Sequence, residues 1–443
     1  MEREQIIETL LLWNFWEKDI DAGIRREDYL TRIKRYLDTD EIVTLTGVRR
    51  CGKSTLLLQV IAQLIKNKVN RTNTLYVNFE DPRFYNFLNI DLLDEIWQAY
   101  CDYLRPEGKV YLVLDEIQKI TGWETWARSK YDRKENVKIF VTGSNAELLS
   151  SEFANILTGR HLELSITPLS FAEFLRFKDM EIKTDKLWLV KNKNALKDFA
   201  LEYLQLGGFP KIVLTKDELL RKELLSQYFT DIITRDIVNR HKVKDVGKLE
   251  NLALFYSTNF TRTYSFNKIK KVIDFSVSLD SIHRFSHYLK DAFLIDFVPR
   301  FSYSLKDQMQ TGRKVYFVDN GMHNAIAFKF SQDKGKLLEN AVFHHLKRQK
   351  KEVYYFHEKQ EVDFICKQGL EIVELINVCY TLGNKETLLR ETSALLEAMR
   401  YFKLKESKII IAEGEGKKIT AQGFDIQIIP FYQWALDYKD GAD

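Results

Sequence analysis

Hydrophobic and polar residues alternate with two different periods along this chain. The first segment, IETLLLWNFWEKDIDAGIRREDYLTRIKRYL, has apolar residues at helical spacing and predicts one or two helices. From Glu41 onward the apolar residues form short β-rich runs, which are separated by helical stretches. These runs are EIVTLTG, TLYVNFE, KVYLVLDE and VKIFVTGS, and HLELSITPLSF adds a further strand that Pro168 ends. Strands that alternate with helices predict βαβ units and a doubly wound parallel sheet.

Three further regions follow in the second part of the chain. The pattern is helical from about Phe171 to Lys248, and LGGFPKIV interrupts it with a sharp turn that either acts as a hinge or ends a helix. From Leu249 to Tyr303 it predicts short helices, FNKIKKVI and SLDSIHRFSHYLKDAFLI, which together with the strand-like RKVYFVDN indicate a winged helix-turn-helix. The last region is α/β, with a helix over KETLLRETSALLEAMRYF and the strands EVYYFH, EVDFICK, LEIVELINV, SKIIIAE and IQIIPF.

The composition is that of a globular protein without a membrane segment. Of the 443 residues, 45% are hydrophobic and 29% are charged, and a chain of this length predicts two or three domains. The 67 basic and 63 acidic residues give a net charge of +4, which is too balanced to indicate nucleic-acid binding by itself. The four cysteines are too far apart for a zinc knuckle or a redox pair, and no apolar run reaches the ~20 residues of a membrane helix. Because the N-terminus is also acidic, unlike a signal peptide, we expect a cytoplasmic protein with no membrane partner.

The segment TLTGVRRCGKST carries the motif G-x-x-x-x-G-K-[ST] between a strand and a helix. Its glycines let successive backbone N–H groups turn inward around an anion, and the helix N-terminus adds positive charge at the same place. Lys53 can then reach the β- and γ-phosphates of a nucleotide, while the Ser54 hydroxyl can bind Mg2+. The alternative, a glycine turn capped by a serine, is disfavoured by the strand and the helix that flank the motif. The sequence therefore predicts a nucleotide site formed by Gly47, Arg50, Cys51, Gly52, Lys53, Ser54 and Thr55.

Two carboxylates end the apolar run in VYLVLDEIQ, downstream of this loop. We predict that Asp115 contacts Mg2+ and that Glu116 orients or deprotonates the attacking water, although such a pair can also be a solvated loop start. The run VKIFVTGS ends in Thr142, Gly143 and Ser144, and these polar groups, Ser144 above all, are expected beside the γ-phosphate. Arg160 is either a cation that neutralises transition-state charge, in cis or across a subunit contact, or a solvated surface residue. No N-K-x-D signature of a guanine site follows a strand, so the expected ligands are ATP and Mg2+.

Together these segments resemble a large archaeal and bacterial family of AAA+-type P-loop ATPases that carries a C-terminal domain of unknown function. The resemblance covers nearly the whole chain and rests on TLTGVRRCGKST, VYLVLDEIQ, FVTGSNAELL, LTGR, LGGFP, GKLLENAVFHHL and EVDFI. It implies ATP binding and hydrolysis, a helical and winged-helix middle, and a C-terminal α/β domain with a restriction-endonuclease-like fold. The expected division is an N-terminal helical segment over 1–40, a P-loop ATPase core over 41–167, a helical region over 168–248, a winged-helix-like region over 249–310 and a restriction-endonuclease-like domain over 311–443.

The resemblance also implies a nuclease-like site in the last domain. Restriction-type nucleases use a glutamate on a helix, then an aspartate and an E-x-K pair on adjacent strands, to hold Mg2+ and to help a water attack. Glu339, Asp363 and Glu374 take the carboxylate positions, but Ile376 takes the position of the lysine. Either the site is inactive or a residue such as Asn377 substitutes, and a degenerate fold kept for binding or assembly is favoured over an active nuclease.

The winged-helix segment has a basic side, made of Lys268, Lys270, Lys271, His283, Arg284, His287 and Lys290. Such a cluster suffices for phosphate contacts with DNA, although helix-turn-helix folds also serve as protein-packing modules. Two functions are therefore expected as alternatives. One is a Mg2+-dependent ATPase that acts on DNA as a nucleotide-driven switch or motor. The other is a protein-binding ATP switch without DNA affinity, and a homo-oligomer fits either one.

Overall fold

The protein is described by a computed structural model over residues 1–143, 157–183, 185–273, 278–327 and 333–436. The chain folds as two compact units, Met1–Thr167 and Pro168–Asp443. The proline that the sequence predicts as the end of a strand is therefore the first residue of the second unit.

Five parallel strands form the sheet of the first unit. Their bounds are β1 Ile42–Thr46, β2 Thr74–Asn78, β3 Val110–Asp115, β4 Val137–Thr142 and β5 His161–Ser165. The order across the sheet is β2-β3-β4-β1-β5, and each pairing between these strands is parallel. The predicted P-loop-type parallel sheet is thus confirmed. The helices around it are α1 Arg3–Leu11, α2 Glu27–Tyr36, α3 Lys53–Lys66, α4 Ile90–Leu104 and α5 Trp123–Asp132.

The N-terminal segment forms α1 and α2 with a non-helical stretch between them. Part of this stretch lies along β2, the outer strand of the sheet. The Asn14 side chain accepts a hydrogen bond from the Tyr76 N–H at 2.7 Å and donates one to the Tyr76 carbonyl at 2.9 Å. Trp16 Nε1 donates to the carbonyl of Thr74 at 2.7 Å. These side chains satisfy backbone groups that an edge strand would otherwise leave unpaired.

The second unit begins with helical structure. Its first helices are α6 Phe171–Phe177, α7 Lys186–Lys191, α8 Lys193–Leu206, α9 Pro210–Leu214, α10 Glu218–Asp231, α11 Asn239–His241 and α12 Val246–Thr258, and a π-helix spans Ile232–Val238 between α10 and α11. The helices α13 Phe266–Ile273, α14 Leu279–Asp291 and α15 Leu305–Gln310 follow. They accompany a small antiparallel sheet of order β6-β8-β7, whose strands are β6 Thr263–Tyr264, β7 Ile295–Pro299 and β8 Arg313–Phe317.

A mixed sheet of six strands completes the second unit. Its strands are β9 Glu352–His357, β10 Glu361–Gln368, β11 Glu371–Thr381, β12 Glu406–Glu413, β13 Lys417–Ala421 and β14 Phe424–Pro430. The order is β13-β14-β12-β11-β10-β9, with parallel pairings on both sides of β12 and antiparallel ones elsewhere. The predicted α/β architecture is confirmed here as well. The helices of this part are α16 Asn320–Ile326, α17 Lys334–Arg348, α18 Lys385–Phe402 and α19 Phe431–Leu436.

Three strands are absent from the sequence prediction. The strand β6 has only two residues, and β13 has the mostly polar sequence KKITA, so neither gives an apolar run. The strand β7 begins inside the segment predicted as helix, because α14 ends at Asp291 and the backbone of Phe293 takes a positive φ of 58°. A left-handed residue ends a helix more sharply than hydrophobic periodicity can indicate.

The LGGFP turn between α8 and α9 is held by a buried carboxylate. Gly207 has a positive φ of 72°, and a Cβ there would lie 2.1 Å from Asp319 Oδ1. The Gly208 N–H donates to Asp319 Oδ2 at 2.6 Å, and the Met322 N–H donates to the other oxygen at 3.0 Å. Burial raises the pKa of Asp319 to about 6, although hydrogen bonds from the backbone oppose that rise. Of the two predicted roles for this turn, the close packing favours a fixed helix end over a hinge.

Candidate functional site

The loop from Gly47 to Ser54 joins the carboxyl end of β1 to the first turn of α3. Three of its residues have positive φ, namely Gly47 at 142°, Arg50 at 70° and Gly52 at 101°. A Cβ on Gly47 would lie 2.0 Å from the carbonyl oxygen of Ile166, so no other residue fits at this position. The loop thus curls tightly in front of a helix N-terminus, as an anion-binding loop must.

Lys53 lies inside this loop and is 5% exposed. Its Nζ donates to the carbonyls of Gly47 at 2.9 Å and Val48 at 3.2 Å, so the ammonium is held against the loop backbone. Ser54 and Thr55 follow in the first turn of α3, with Ser54 half-buried and Thr55 exposed. The predicted cation and the predicted magnesium-binding hydroxyl therefore stand at the same end of the helix.

Cys51 and Arg50 contribute to the loop in different ways. The Cys51 side chain is fully buried and its Sγ donates to the Ile166 carbonyl at 3.3 Å, so it faces away from a ligand and only its backbone can contact one. Burial raises the pKa of this thiol, while Lys53 and Arg26 nearby lower it. The Arg26 guanidinium donates to the Cys51 carbonyl at 3.0 Å and supports the loop from behind. Arg50 is exposed, and its backbone takes a positive φ of 70°.

Asp115 is the last residue of β3 and is 2% exposed. The Tyr76 hydroxyl donates to its Oδ2 at 2.5 Å, and the Thr142 hydroxyl donates to its Oδ1. Each carboxylate oxygen has two lone-pair directions, so one remains on each oxygen for water bound to a metal ion. Two hydroxyls from the neighbouring strands β2 and β4 thus hold the carboxylate that the sequence assigns to Mg2+.

Glu116 follows directly and has a positive φ of 57°, an uncommon backbone conformation that often marks functional sites. Its N–H donates to Thr142 Oγ1 at 3.0 Å, and its side chain accepts a hydrogen bond from Gln118 at 2.6 Å. Burial raises the pKa of the Glu116 carboxyl, which Lys53 opposes and Asp115 reinforces. The structure therefore brings Lys53, Asp115 and Glu116 into one buried group beside the loop.

Arg160 lies at the amino ends of the strands of the first sheet, whereas the loop lies at their carboxyl ends. Because β5 is parallel to β1 and His161 is paired with Ile42, Arg160 stands beside the start of β1, whereas the loop follows its end. A strand of this length spans about 17 Å, which the side chain cannot cross. The Arg160 guanidinium donates instead to Asp132 at 3.0 Å and to the Thr158 carbonyl at 3.3 Å. Of the two catalytic roles predicted for it, only the one across a subunit contact agrees with this position.

Ser144 lies outside the described residues, so its predicted role stays a prediction. Sequence reasoning missed Tyr76 and saw Thr142 only as a polar group at a strand end. A tyrosine inside the strand run TLYVN looks like any aromatic core residue, and no spacing in the sequence connects it to Asp115. Its place in the site depends on β2 lying beside β3.

The second unit contains a separate buried cluster around Lys314 of β8, whose side chain is 2% exposed. Its ammonium lies 3.0 Å from Glu339, 3.0 Å from Asp363 and 2.8 Å from Glu361. The Tyr316 hydroxyl also donates to Glu339 at 2.8 Å. Two of the three predicted nuclease-like carboxylates, Glu339 and Asp363, are thus together, and a lysine from another strand stands between them.

Glu374 is not part of this cluster, which corrects the predicted triad. In the register of β10 and β11 it is opposite Cys366, and it forms ion pairs with Lys351 and Lys408 instead. Asn377 is the residue beside Asp363 and accepts a hydrogen bond from the Asp363 N–H at 3.3 Å. Among the described residues, no group of three or more His, Cys, Asp or Glu side chains has an arrangement that could hold a metal ion.

The basic residues of α13 and α14 are mostly at the surface. Lys270 is half-buried, and the exposed ones are Lys268, Lys271, His283, Arg284, His287 and Lys290. The His287 ring lies 3.4 Å from the Asp291 carboxylate, which reduces the positive charge available there. Most of the predicted basic side is thus exposed to solvent.

The fold and the loop together define a P-loop ATPase domain of the AAA type. Residues 39–175 match the family model of the AAA domain. Residues 198–333 match the model of a domain of unknown function, DUF8612. The expected combination of a P-loop ATPase and a later domain of unknown function is confirmed.

Two relatives span nearly the whole chain. The uncharacterized protein MJ1544 of Methanocaldococcus jannaschii is 36% identical over 414 residues, which are 90% of this chain and 89% of that protein. An uncharacterized protein of Haemophilus influenzae is 32% identical over 422 residues, which are 94% of this chain and 99% of that protein. The chain therefore belongs to the same family as these proteins.

Solved structures of AAA+ proteins align with this chain at low identity. The ORC1 protein of Aeropyrum pernix in complex with DNA is 14% identical, with 73% of this chain and 95% of that chain covered and a TM-score of 0.32. DnaA of Aquifex aeolicus bound to AMPPCP is 12% identical, with 62% and 93% covered and a TM-score of 0.28. In the described part of this chain, no helix has the length and apolar character needed to cross a membrane.

Proposed function

We propose that this protein is a Mg2+-dependent ATPase whose catalytic site is the loop of the first unit. The observation that carries the proposal is the buried group of Lys53, Asp115 and Glu116 at the carboxyl edge of a parallel sheet. The cradle has no room for a side chain at Gly47, and its donors are backbone N–H groups and an ammonium. This set of donors fits a triphosphate and does not fit a neutral ligand.

The residues divide the chemistry among them. Lys53 would contact the β- and γ-phosphates, while Ser54 and Asp115 would hold Mg2+. When bound, Mg2+ neutralises charge that develops on the transferred phosphoryl group. Glu116 orients the attacking water and accepts its proton, which its raised pKa favours because a more basic carboxylate is a better proton acceptor. The strained backbone of Glu116 fixes the direction of that carboxylate.

Arg160 is proposed to act in a second copy of the chain. A finger that neutralises transition-state charge must reach the γ-phosphate, and the edge position of Arg160 makes this feasible only across a subunit contact. In the single chain its guanidinium pairs with Asp132, with side-chain exposures of 31% and 43%. Such a surface pair is weak and can exchange for a phosphate at little cost.

We further propose that the ATPase acts on DNA as a nucleotide-driven switch or motor. The exposed lysines of α13 and α14 support this because phosphate contacts need clustered surface cations. The region over 249–310 would then be the DNA-docking module of a five-part chain. The domain over 311–443 would serve binding or assembly rather than cleavage, since Lys314 pairs with both Glu339 and Asp363.

A second candidate function is a protein-binding ATP switch. The helix α7 has no buried residue, and its Leu187 and Val190 are 78% and 72% exposed. Apolar side chains on an otherwise solvated helix favour a protein partner. The two candidates share the ATPase site and differ only in what responds to the nucleotide.

The test is phosphate release from Mg-ATP with and without duplex and single-stranded DNA, with Lys53→Ala as the blank. Release that rises with DNA supports action on DNA, and the rise should be lost in the double variant Lys268→Glu, Lys290→Glu. The matched control is Lys222→Glu on α10, which changes the charge of an exposed lysine elsewhere and should keep the rise. Phosphate release that does not change when DNA is added would favour the protein switch. No release above the blank would contradict the ATPase proposal.

A further inference from the structure

Tyr76 contacts Asp115, one of the two residues assigned to the metal ion. It belongs to β2, is 1% exposed, and its hydroxyl donates to Asp115 Oδ2 at 2.5 Å. The hydroxyl of Thr142 on β4 donates to the other oxygen of the same carboxylate. Hydroxyls from the strands on both sides of β3 therefore hold the two oxygens of Asp115.

The direction of the bond from Tyr76 matters for a carboxylate that would hold a metal ion. A carboxylate oxygen can accept from a hydroxyl and still offer its second lone pair to water bound to a cation. The hydrogen of Tyr76 in turn fixes the rotation of the Asp115 carboxylate.

The backbone at Tyr76 is held as firmly as its hydroxyl. Asn14 binds both its N–H and its carbonyl, and Asn14 is itself 1% exposed. The rings of Trp13 and Tyr76 are 6.4 Å apart. A side chain on the outer strand of a sheet would otherwise be the least restrained part of the site, and the N-terminal segment removes that freedom.

We propose that Tyr76 is a positioning residue that sets the Asp115 carboxylate for Mg2+ before the nucleotide binds. The inference rests on the proposed function, because it assigns Tyr76 a role at the ATPase site. It also gives the non-helical stretch between α1 and α2 a purpose, which is to hold Tyr76 in place through Asn14.

The test is the variant Tyr76→Phe, which keeps the ring and removes the hydroxyl. Because one hydrogen bond to a buried charged group is lost, we expect the half-saturating Mg2+ concentration for hydrolysis to rise about tenfold. The kcat at saturating Mg2+ should stay within about twofold. The matched control is Tyr111→Phe, on the adjacent strand but near its amino end, which should leave the Mg2+ dependence unchanged.

Binding of a fluorescent ATP analogue, titrated with Mg2+ and in EDTA, separates this inference from the proposed function. If the wild type binds nucleotide but releases no phosphate, the ATPase proposal fails, and the Mg2+ requirement for binding still tests Tyr76. Equal Mg2+ dependence in wild type and Tyr76→Phe would overturn the inference. A variant that loses activity equally at all Mg2+ concentrations, with a lower melting temperature, would overturn it too, because the role would then be structural only.

Discussion

The ammonium of Lys314 is buried and contacts the carboxylates of Glu339, Asp363 and Glu361 instead of water. Burial alone would lower the pKa of its ammonium, but Asp363 and Glu339 raise it well above the usual value, so the lysine stays charged. Burial raises the pKa of Glu339 to about 7, an effect that Lys314 opposes. A buried ion pair adds little net stability compared with apolar residues, yet removing one partner leaves uncompensated charge.

We therefore expect Lys314→Met to lower the free energy of unfolding of the second unit by about 3–5 kcal/mol. The control is Lys408→Met, because Lys408 also pairs with a carboxylate but its side chain is 31% exposed. That variant should cost less than ~1 kcal/mol. Hydrogen exchange of the β8 and β10 amides measures both effects. Equal protection from hydrogen exchange in the two variants would contradict the larger cost expected for the buried lysine.

Single residues of the two sites differ in how far the sequence could predict them. The sequence alone predicts the loop chemistry, because fixed spacing next to a strand identifies Lys53, Ser54, Asp115 and Glu116. The sequence does not predict the role of Lys314, because this lysine meets Glu339 and Asp363 only when β8, α17 and β10 pack together. A lysine in an ordinary strand pattern carries no sign that three carboxylates surround it.

At the scale of elements, the turn between α8 and α9 shows a glycine requirement that comes from another part of the chain. Gly207 and Gly208 are pressed against Asp319 and against the backbone of Leu169. The carboxylate of Asp319, at the start of α16, therefore fixes the end of α8. Sequence reasoning recognised the sharp turn, but the partner that makes both glycines necessary is more than a hundred residues away.

Gly207→Ala should destabilise the second unit by at least ~2 kcal/mol, since the new Cβ meets Asp319 and the positive φ disfavours a side chain. Gly247→Ala in α12 is the matched control. No atom lies within 4 Å of its would-be Cβ, and alanine favours the helix, so we expect a gain of up to ~1 kcal/mol. Urea denaturation of both variants measures the difference. A Gly207→Ala protein as stable as the control would contradict the packing described for this turn.

The helix α17 makes the second unit sensitive to acid. Burial lowers the pKa of His345 to about 3, and Arg348 and Lys351 lower it further. A histidine with a lowered folded-state pKa gives its full stabilisation above about pH 6.5 and loses it as the pH falls toward the folded-state value. Between those values the unfolded chain binds a proton that the folded chain excludes.

We expect His345→Gln to be less stable than the wild type at pH 7.5, because the ring packs against Trp434 at 4.4 Å. The gap in unfolding free energy between the two proteins should narrow by about 1.4 kcal/mol per pH unit between pH 6 and pH 5, because only the wild type loses stability through this histidine. Hydrogen exchange of the α17 amides in both proteins at the same pH measures the gap. A gap that does not change with pH would mean that His345 is not excluded from protonation.

The elements that the sequence predicts best are those whose apolar pattern is long or strictly bounded. The helix α18 covers the predicted segment KETLLRETSALLEAMRYF from end to end, and the strands β1 to β4 follow the predicted runs. The sequence does not predict β6, which is short, or β13, which is mostly polar. Register is also beyond sequence reasoning, and it decides that Asn377 rather than Glu374 lies beside Asp363.

At the scale of the whole molecule, the two proposed activities belong to different units. The first unit holds the loop and its carboxylates, whereas the exposed lysines of α13 and α14 belong to the second. The proposed action on DNA would therefore need both units. The AAA domain and DUF8612 matches fall mainly on one unit each, in the same order.

The most direct test of the central claim is Mg-ATP binding to the full chain, followed by chromatography of the bound nucleotide. We expect the wild type to bind Mg-ATP and convert it to ADP. Glu116→Gln should bind it and keep it as ATP, at least ~100-fold longer, because the water is no longer activated. Lys53→Ala should bind neither nucleotide. Binding to Lys53→Ala as tight as to the wild type would contradict the account, because the loop would then not be the triphosphate site.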